Sequence, residues 1–286
     1  MLAALQDSVV FAVLVGLALA PLEQVLAERP EKRRAVTTDL AFATLGQLLT
    51  RGVLFSGIGL VLAGLGGLAP ERAIVSSIAP HHPWIACAVE VALGLVVFDV
   101  AGYAYHRLAH CTPLLSRLHD VHHSAQELDW LASFRQHPLE IALVTLVQNA
   151  PLVLLGLPLG AHALVLLLLR LHTVFVHSNV RVPDGPWTHL LATPRYHHRH
   201  HDRDRPAANF ATLCPLLDHL FGTYDATPAG RVGSPRPMPT SFLGLLVHPF
   251  RRERVDAQAP PPHLGSHAHG SRDHGSRHAT RACDLP

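Results

Sequence analysis

The chain has 286 residues, 23 histidines, only 15% charged residues and a formal net charge of +2, with a mean hydropathy of +0.23. This near-neutral balance, with no basic stripe interleaved with aromatics, argues against a nucleic-acid partner. The four cysteines (Cys87, Cys111, Cys214, Cys283) form no CxxC, which argues against a zinc ribbon or a disulfide framework.

Taken in order, the chain opens with an apolar run over residues 8–27, interrupted near its end by Pro21 and Glu23. About 20 apolar residues cross a bilayer. With no basic n-region before it, the run reads as a first membrane anchor rather than a cleaved signal. A polar turn carrying Arg29, Lys32, Arg33 and Arg34 follows. Residues 40–68 form a second apolar run, broken by glycines and by Arg51, which is expected near an interface or paired inside the bundle. His81 and His82 stand beside prolines and read as plain loop residues. The third run, residues 84–104, is about 31 Å long as a helix. It carries Glu90 and Asp99, whose charges are expected to face a bundle interior or a pocket.

Two further apolar segments, 138–156 and 158–180, read as a hairpin that either spans or re-enters the membrane. Beyond Arg181 the chain is polar, apart from the patch PLLDHLFGTY. From residue 257 it is rich in Pro, Gly, Ser, Ala and His and reads as a disordered, solvated tail. The expected fold is therefore all-α: an integral membrane helical bundle of about four to five membrane segments with a histidine-rich helical cap. Its divisions are N-terminal membrane helices (1–82), a catalytic domain (83–226), a C-terminal extension (227–256) and the tail (257–286). Counting spans puts the basic clusters after the first run, the third run and the hairpin on one face. The positive-inside rule makes that face cytoplasmic. The Ala/Arg/Leu-rich usage points to a bacterial inner membrane.

Histidine spacing carries the chemistry. Asp99, Tyr103, His106 and His110 fall at i, i+4, i+7 and i+11, one helix face. His119, His122 and His123 form an HxxHH triplet, and His197, His200 and His201 form another cluster downstream. Eight imidazoles at helical spacing suit two metal ions with open positions better than one tetrahedral zinc. The HExxH pattern of zinc proteases is absent, because Arg107 follows His106. An almost all-histidine site beside a membrane suits iron acting with O₂ on a lipid that enters sideways from the bilayer. A non-catalytic membrane metal-handling protein and a zinc-dependent membrane hydrolase are the alternatives.

Residues 95–226 resemble the fatty acid hydroxylase/sterol desaturase superfamily of integral membrane di-iron oxygenases. The motifs are HRLAH (His106–His110) behind Asp99, HDVHHS (His119–Ser124), RQHPLE (Arg135–Glu140), HSN (His177–Asn179), TPRYHHRHH (Thr193–His201), Asn209-Phe210 and DHLFGTY from Asp218. The resemblance implies two irons held by the eight box histidines, with His137 and His177 as further ligands or close neighbours. It also implies a lipid substrate, O₂ as co-substrate and electrons from a separate ferredoxin- or cytochrome-type donor. The product would be an alcohol or an alkene. His198 is an extra histidine, Ala211 stands where the family often has glycine, and Leu217 where tryptophan is frequent. The candidate catalytic residues are Asp99, as an acceptor of a ring N–H or as a buried group satisfied by backbone, and Tyr103, as a gate or as packing. Arg107 and Arg135 are expected to face anionic lipid. Asn179 and Asn209 read as caps or turn residues, and the resemblance makes them candidate supports of the box histidines.

Overall fold

The computed structural model describes residues 2–30, 33, 35–68, 81–157 and 159–251. The expected tail at 257–286 and the loop bearing Arg72 lie outside the described residues. Among those residues the chain is helical, with no strand beyond two isolated antiparallel bridges, Ala27 with Val180 and Asp202 with Val232.

Helix α1 is Leu2–Val25 and α2 is Val36–Ala41. Two π-helical turns, Phe42–Gly46 and Thr50–Leu54, then lead into α3, Phe55–Gly66. Helices α4 (Pro83–Cys111), α5 (Pro113–His123), α6 (Pro138–Leu154), α7 (Leu159–His177) and α8 (Pro194–His200) carry the histidines. Short helices α9 (Leu216–Phe221) and α10 (Phe242–Val247) follow. Helices α4, α5, α6 and α8 each begin with proline. Its missing N–H costs nothing in a first turn and its fixed φ suits the helix. Pro113 also separates α4 from α5: Thr112 before it is extended, as the residue preceding proline prefers. His110 and His119 therefore lie on two different helices.

Among the described residues one helix, α4, is by length and composition apolar enough to cross a membrane. A second span exists if Val36–Gly52 and Gly57–Gly66, bent by 54°, count as one. The apolar stretches Val9–Val25, Pro138–Leu154 and Ala161–His177 are shorter. Each reaches about 26 Å, against a hydrocarbon core of about 30 Å. The helices thus supply one or two of the four to five segments expected from apolar runs. The outward face of α4 is nonetheless apolar: Val89, Leu93, Val96 and Val100 are 37–61% exposed, while Glu90 and Asp99 are buried. That inverted pattern is what a helix meeting lipid outside and polar partners inside requires.

One apolar core joins α4, α6 and α7 through Val91, Phe98, Leu152, Ala161, Val165 and Leu169. A Cβ on Gly94 would lie 2.8 Å from Val165 Cγ2, so glycine is needed for α4 to approach α7 this closely. A second core packs Val15 of α1 against Ala43, Leu131, Phe134 and Val174. Glu23, which interrupts the first apolar run, accepts the backbone N–H of Trp130 (2.8 Å) and of Asn179 (3.0 Å). It thereby ties the end of α1 to the histidine-bearing half.

Arg135 departs from its expected place at the lipid surface. It is buried, and its Nε and guanidinium donate to Asp39 Oδ1 at 2.6 Å. Arg107 is buried as well, at 4% exposure. Neither side chain faces lipid headgroups. Removing one member of a buried ion pair strands the other charge, at about 3–5 kcal/mol. Asp39→Ala is therefore expected to lower the thermal unfolding midpoint in detergent sharply. Asp39→Leu combined with Arg135→Met is expected to recover most of that loss.

Candidate metal centre

Nine imidazoles converge in two groups. His106, His110, His119, His123 and His200 form one, and His122, His177, His197 and His201 the other; within each group the ligand atoms lie within 4.8 Å of one another. The HxxHH triplet is shared between them. On α5, His119 and His123 point to the first group and His122 to the second, because i and i+4 share a face that i+3 only flanks. On α8, His200 joins the first group while His197 and His201 join the second.

Backbone carbonyls fix four of these rings. His106 Nδ1 donates to Phe210 O (2.7 Å), His200 Nδ1 to Ala208 O (2.8 Å), His122 Nδ1 to Arg135 O (3.1 Å) and His177 Nδ1 to Thr173 O (2.6 Å). His119 Nδ1 meets Glu140 Oε1 at 2.5 Å. A carbonyl only accepts, so those Nδ1 atoms hold the proton and the matching Nε2 atoms are bare acceptors. Yet the Nε2 atoms face each other. His106 and His119 stand 3.1 Å apart, His119 and His123 3.1 Å, His123 and His200 3.0 Å, His122 and His177 3.1 Å, and His177 and His197 2.9 Å. Where both Nδ1 atoms donate to a carbonyl, as in His122 with His177, two lone pairs at that separation repel unless a cation lies between them.

The donor set therefore fits two metal ions. With metal–nitrogen bonds of about 2.1 Å, ligands at right angles lie about 3.0 Å apart and tetrahedral ligands about 3.4 Å. Seven Nε2 pairs stand 2.9–3.2 Å apart and all ligand atoms of a group lie within 4.8 Å of one another, separations that ligands of one ion can have. Burial, reinforced by neighbouring imidazoles, holds His119, His122, His123, His197, His200 and His201 well below the usual imidazole range. All six are neutral at pH 7, the form that binds metal.

The remaining expected residues fall around this centre. His137 is in neither group. It caps α6, accepting the Leu139 N–H at Nδ1 (3.2 Å), while its Nε2 faces Leu246 O at 3.1 Å, so both ring nitrogens are engaged. Asp99 touches no imidazole: it accepts the backbone N–H groups of Thr212 (3.1 Å), Leu213 (2.8 Å) and Cys214 (2.8 Å), the backbone alternative of its two expected roles. Asp218 takes the N–H of Phe210 (2.7 Å) and Ala211 (2.9 Å), the Thr223 hydroxyl (2.7 Å) and the Tyr196 hydroxyl. The two aspartates thus brace segment 208–214, whose carbonyls orient His106 and His200. Tyr103 bonds Thr223 Oγ1 (3.0 Å) and stacks on Phe221, which makes it packing for the same segment. Asn209 adopts a left-handed φ of 60° and bonds the backbone of Tyr196 and Asp225. Asn179 clamps the backbone of Arg29. Neither asparagine bonds a ring. The extra His198 turns away from both groups, its Nε2 on the His177 carbonyl at 3.4 Å.

Glu140 is the residue that motif reading passed over. It lies in the first turn of an apolar helix and is 5% exposed. His106, His119, His122, His177, His197 and Glu140 line one mouth of a cavity of about 630 Å³ that is otherwise walled mainly by apolar side chains. Along α7 its lining runs from His177 through Thr173, Arg170 and Leu166 to His162, one face of the helix over about 22 Å. An orienting carboxylate typically contributes about 10–100-fold to metal affinity. Glu140→Ala is therefore expected to weaken binding in the five-histidine group by that factor and to leave the four-histidine group within about twofold. Metal titration of the purified chain measures both.

Comparison with known proteins agrees with this geometry. Residues 91–223, which contain all nine histidines, match the fatty acid hydroxylase family model. The chain is 30% identical over 171 residues to the ornithine lipid hydroxylase OlsE of Rhizobium tropici, covering 58% of this chain and 52% of that protein. It is 31% identical over 130 residues to the human alkylglycerol monooxygenase, covering 45% of this chain and 29% of that protein. The alkylglycerol monooxygenase of Danio rerio is 28% identical over 134 residues, with 46% and 30% covered. The chain thus spans about half, or less, of the length of these relatives. No solved structure matches it. Residues 91–223, with both histidine groups, thus carry a fatty acid hydroxylase domain.

Proposed function

We propose that this chain is a membrane-bound non-haem di-iron oxygenase that hydroxylates, or desaturates, a C–H bond of a lipid. The observation that carries the reading is the junction of the two groups: both open onto one apolar-walled cavity long enough for an acyl or alkyl chain. Ions held in the two groups would supply O₂ activation and removal of hydrogen from an unactivated C–H bond, with electrons from a separate ferredoxin- or cytochrome-type protein.

The protein's own contribution is positional. Carbonyls of Phe210, Ala208, Arg135 and Thr173 hold the Nδ1 protons, so four rings present Nε2. Glu140 Oε1, 2.5 Å from His119 Nδ1, fixes the orientation of that ring. Phe98, Ile141, Val144, Leu166 and Leu169 exclude water from the reacting carbon. Groups of five and four imidazoles supply more donors than the three plus water typical of catalytic zinc, which supports the oxygenase over a zinc hydrolase. The apolar outer face of α4 supports placement in a membrane. The basic clusters support histidines toward the cytoplasm by the positive-inside rule, and the Ala/Arg/Leu-rich usage supports a bacterial inner membrane. Residues 83–226 form the catalytic part of this proposal.

The test is O₂ uptake by the iron-loaded chain with a reductant and membrane lipid, with mass spectrometry of the product. The expected result is reductant-dependent uptake matched by lipid gaining one oxygen or losing two hydrogens. His122→Ala and His200→Ala should each lower it by at least about 100-fold while the chain stays in the membrane fraction. Metal binding without O₂ uptake would indicate a metal-handling protein, and lipid hydrolysis without O₂ would indicate a zinc-type hydrolase.

A further inference from the structure

The cavity is not apolar throughout. Arg170 interrupts the run Leu164–Val176 on α7 and lines the cavity about 10 Å along the helix axis from His177. Its guanidinium lies 4.1 Å from the centroid of the Phe11 ring. Among the described residues no carboxylate reaches it, and the charge it feels is a like one, from Arg51. A positive group among aliphatic side chains is costly, and one aromatic face offsets only part of that cost. Opposite, on α6, the Gln148 amide lines the same cavity, is 8% exposed, and has no hydrogen-bond partner among the described residues. Gly102 makes room for it: a Cβ there would lie 2.6 Å from Gln148 Nε2. Asn149, by contrast, is satisfied locally, donating to Thr145 O (2.7 Å) and accepting from His162 Nε2 (2.8 Å).

Arg170 and Gln148 thus line one cavity, and neither the guanidinium nor the amide has a carboxylate or hydrogen-bond acceptor among the described residues, so both are donors available to an acceptor brought in by a ligand. We infer that Arg170 and Gln148 form a subsite for an anionic oxygen group, a carboxylate or a phosphate, carried by the lipid substrate. The inference rests on the lipid-oxidising function proposed above and sharpens it. The anion is anchored about 10 Å from the histidines, and this separation selects which carbon of the chain reaches the metal centre. Arg170 and Gln148 are then specificity-determining residues that touch the substrate away from the reacting bond.

Equilibrium binding tests this without turnover. The probes are radiolabelled oleate, oleyl phosphate and oleyl alcohol, bound to the full chain in uncharged dodecyl maltoside with no reductant present. The wild-type chain is expected to bind at least one of the two anions tenfold or more tightly than the alcohol, and the tighter one identifies the group. Arg170→Gln should abolish that preference while leaving oleyl alcohol binding within about twofold. Arg170→Lys should keep most of it, and Gln148→Leu should weaken anion binding several-fold. Equal affinity of the wild-type chain for alcohol and both anions overturns the subsite, and that comparison needs no variant to fold. An unchanged preference in Arg170→Gln also overturns it, by placing the anion on the basic surface instead. Because no step consumes O₂, anion selectivity without oxygenation would refute the proposed function and leave the subsite standing.

Discussion

The structure depends on one electrostatic constraint: bare imidazole nitrogens are held face to face at about 3 Å inside a buried site. The arrangement is unfavourable for an apoprotein and favourable around cations, so much of the remaining architecture serves to enforce it. Carbonyls at the end of α7, in segment 208–214 and at Arg135 each take an Nδ1 proton and turn the opposite nitrogen inward. Those carbonyls are braced in turn. Asp99 and Asp218 hold the 208–214 segment, while the buried Arg135–Asp39 pair fixes the strip behind His122. Acidic residues that chemical intuition would place against the metals act one step removed, on the backbone that aims the rings.

The same constraint explains the helix plan. Ligands come from α4, α5, α7 and α8, so no single helix carries a complete group. Proline at position one of α4, α5, α6 and α8 sets where each starts, and Thr112-Pro113 turns the chain between two ligand pairs. The apolar core among α4, α6 and α7 then leaves a cavity along their shared axis that ends on both groups. Helix α7 serves both, contributing His177 to a histidine group and Arg170 to the cavity lining.

Much of this was legible in the sequence, because helical spacing converts directly into shared faces. The HxxxH, HxxHH and HHRHH boxes foretold which imidazoles meet, and His177 was named through family resemblance. What spacing does not encode is the far nitrogen of each ring. The carbonyl partners are backbone atoms, invisible in a residue string, so the division into groups of five and four was not readable. Glu140 stood inside the RQHPLE motif with no role assigned, because its ring partner, His119, lies on another helix. His137 was expected near the metals on motif grounds, but a histidine before Pro138 is equally suited to capping, and both its nitrogens are used there. Among the described residues one or two helices are long and apolar enough to span, against the four to five segments expected; a run of twenty residues need not fold into one straight helix, and the π-turns and the 54° bend between Val36–Gly52 and Gly57–Gly66 interrupt the second run.

The most direct measurement is the metal content of the full chain purified after expression in iron-supplemented medium. The account predicts close to two iron ions per chain, with Mössbauer spectra of nitrogen-rich, five- or six-coordinate sites. A chain that folds with a single ion, or that retains tetrahedral zinc under those conditions, would contradict it.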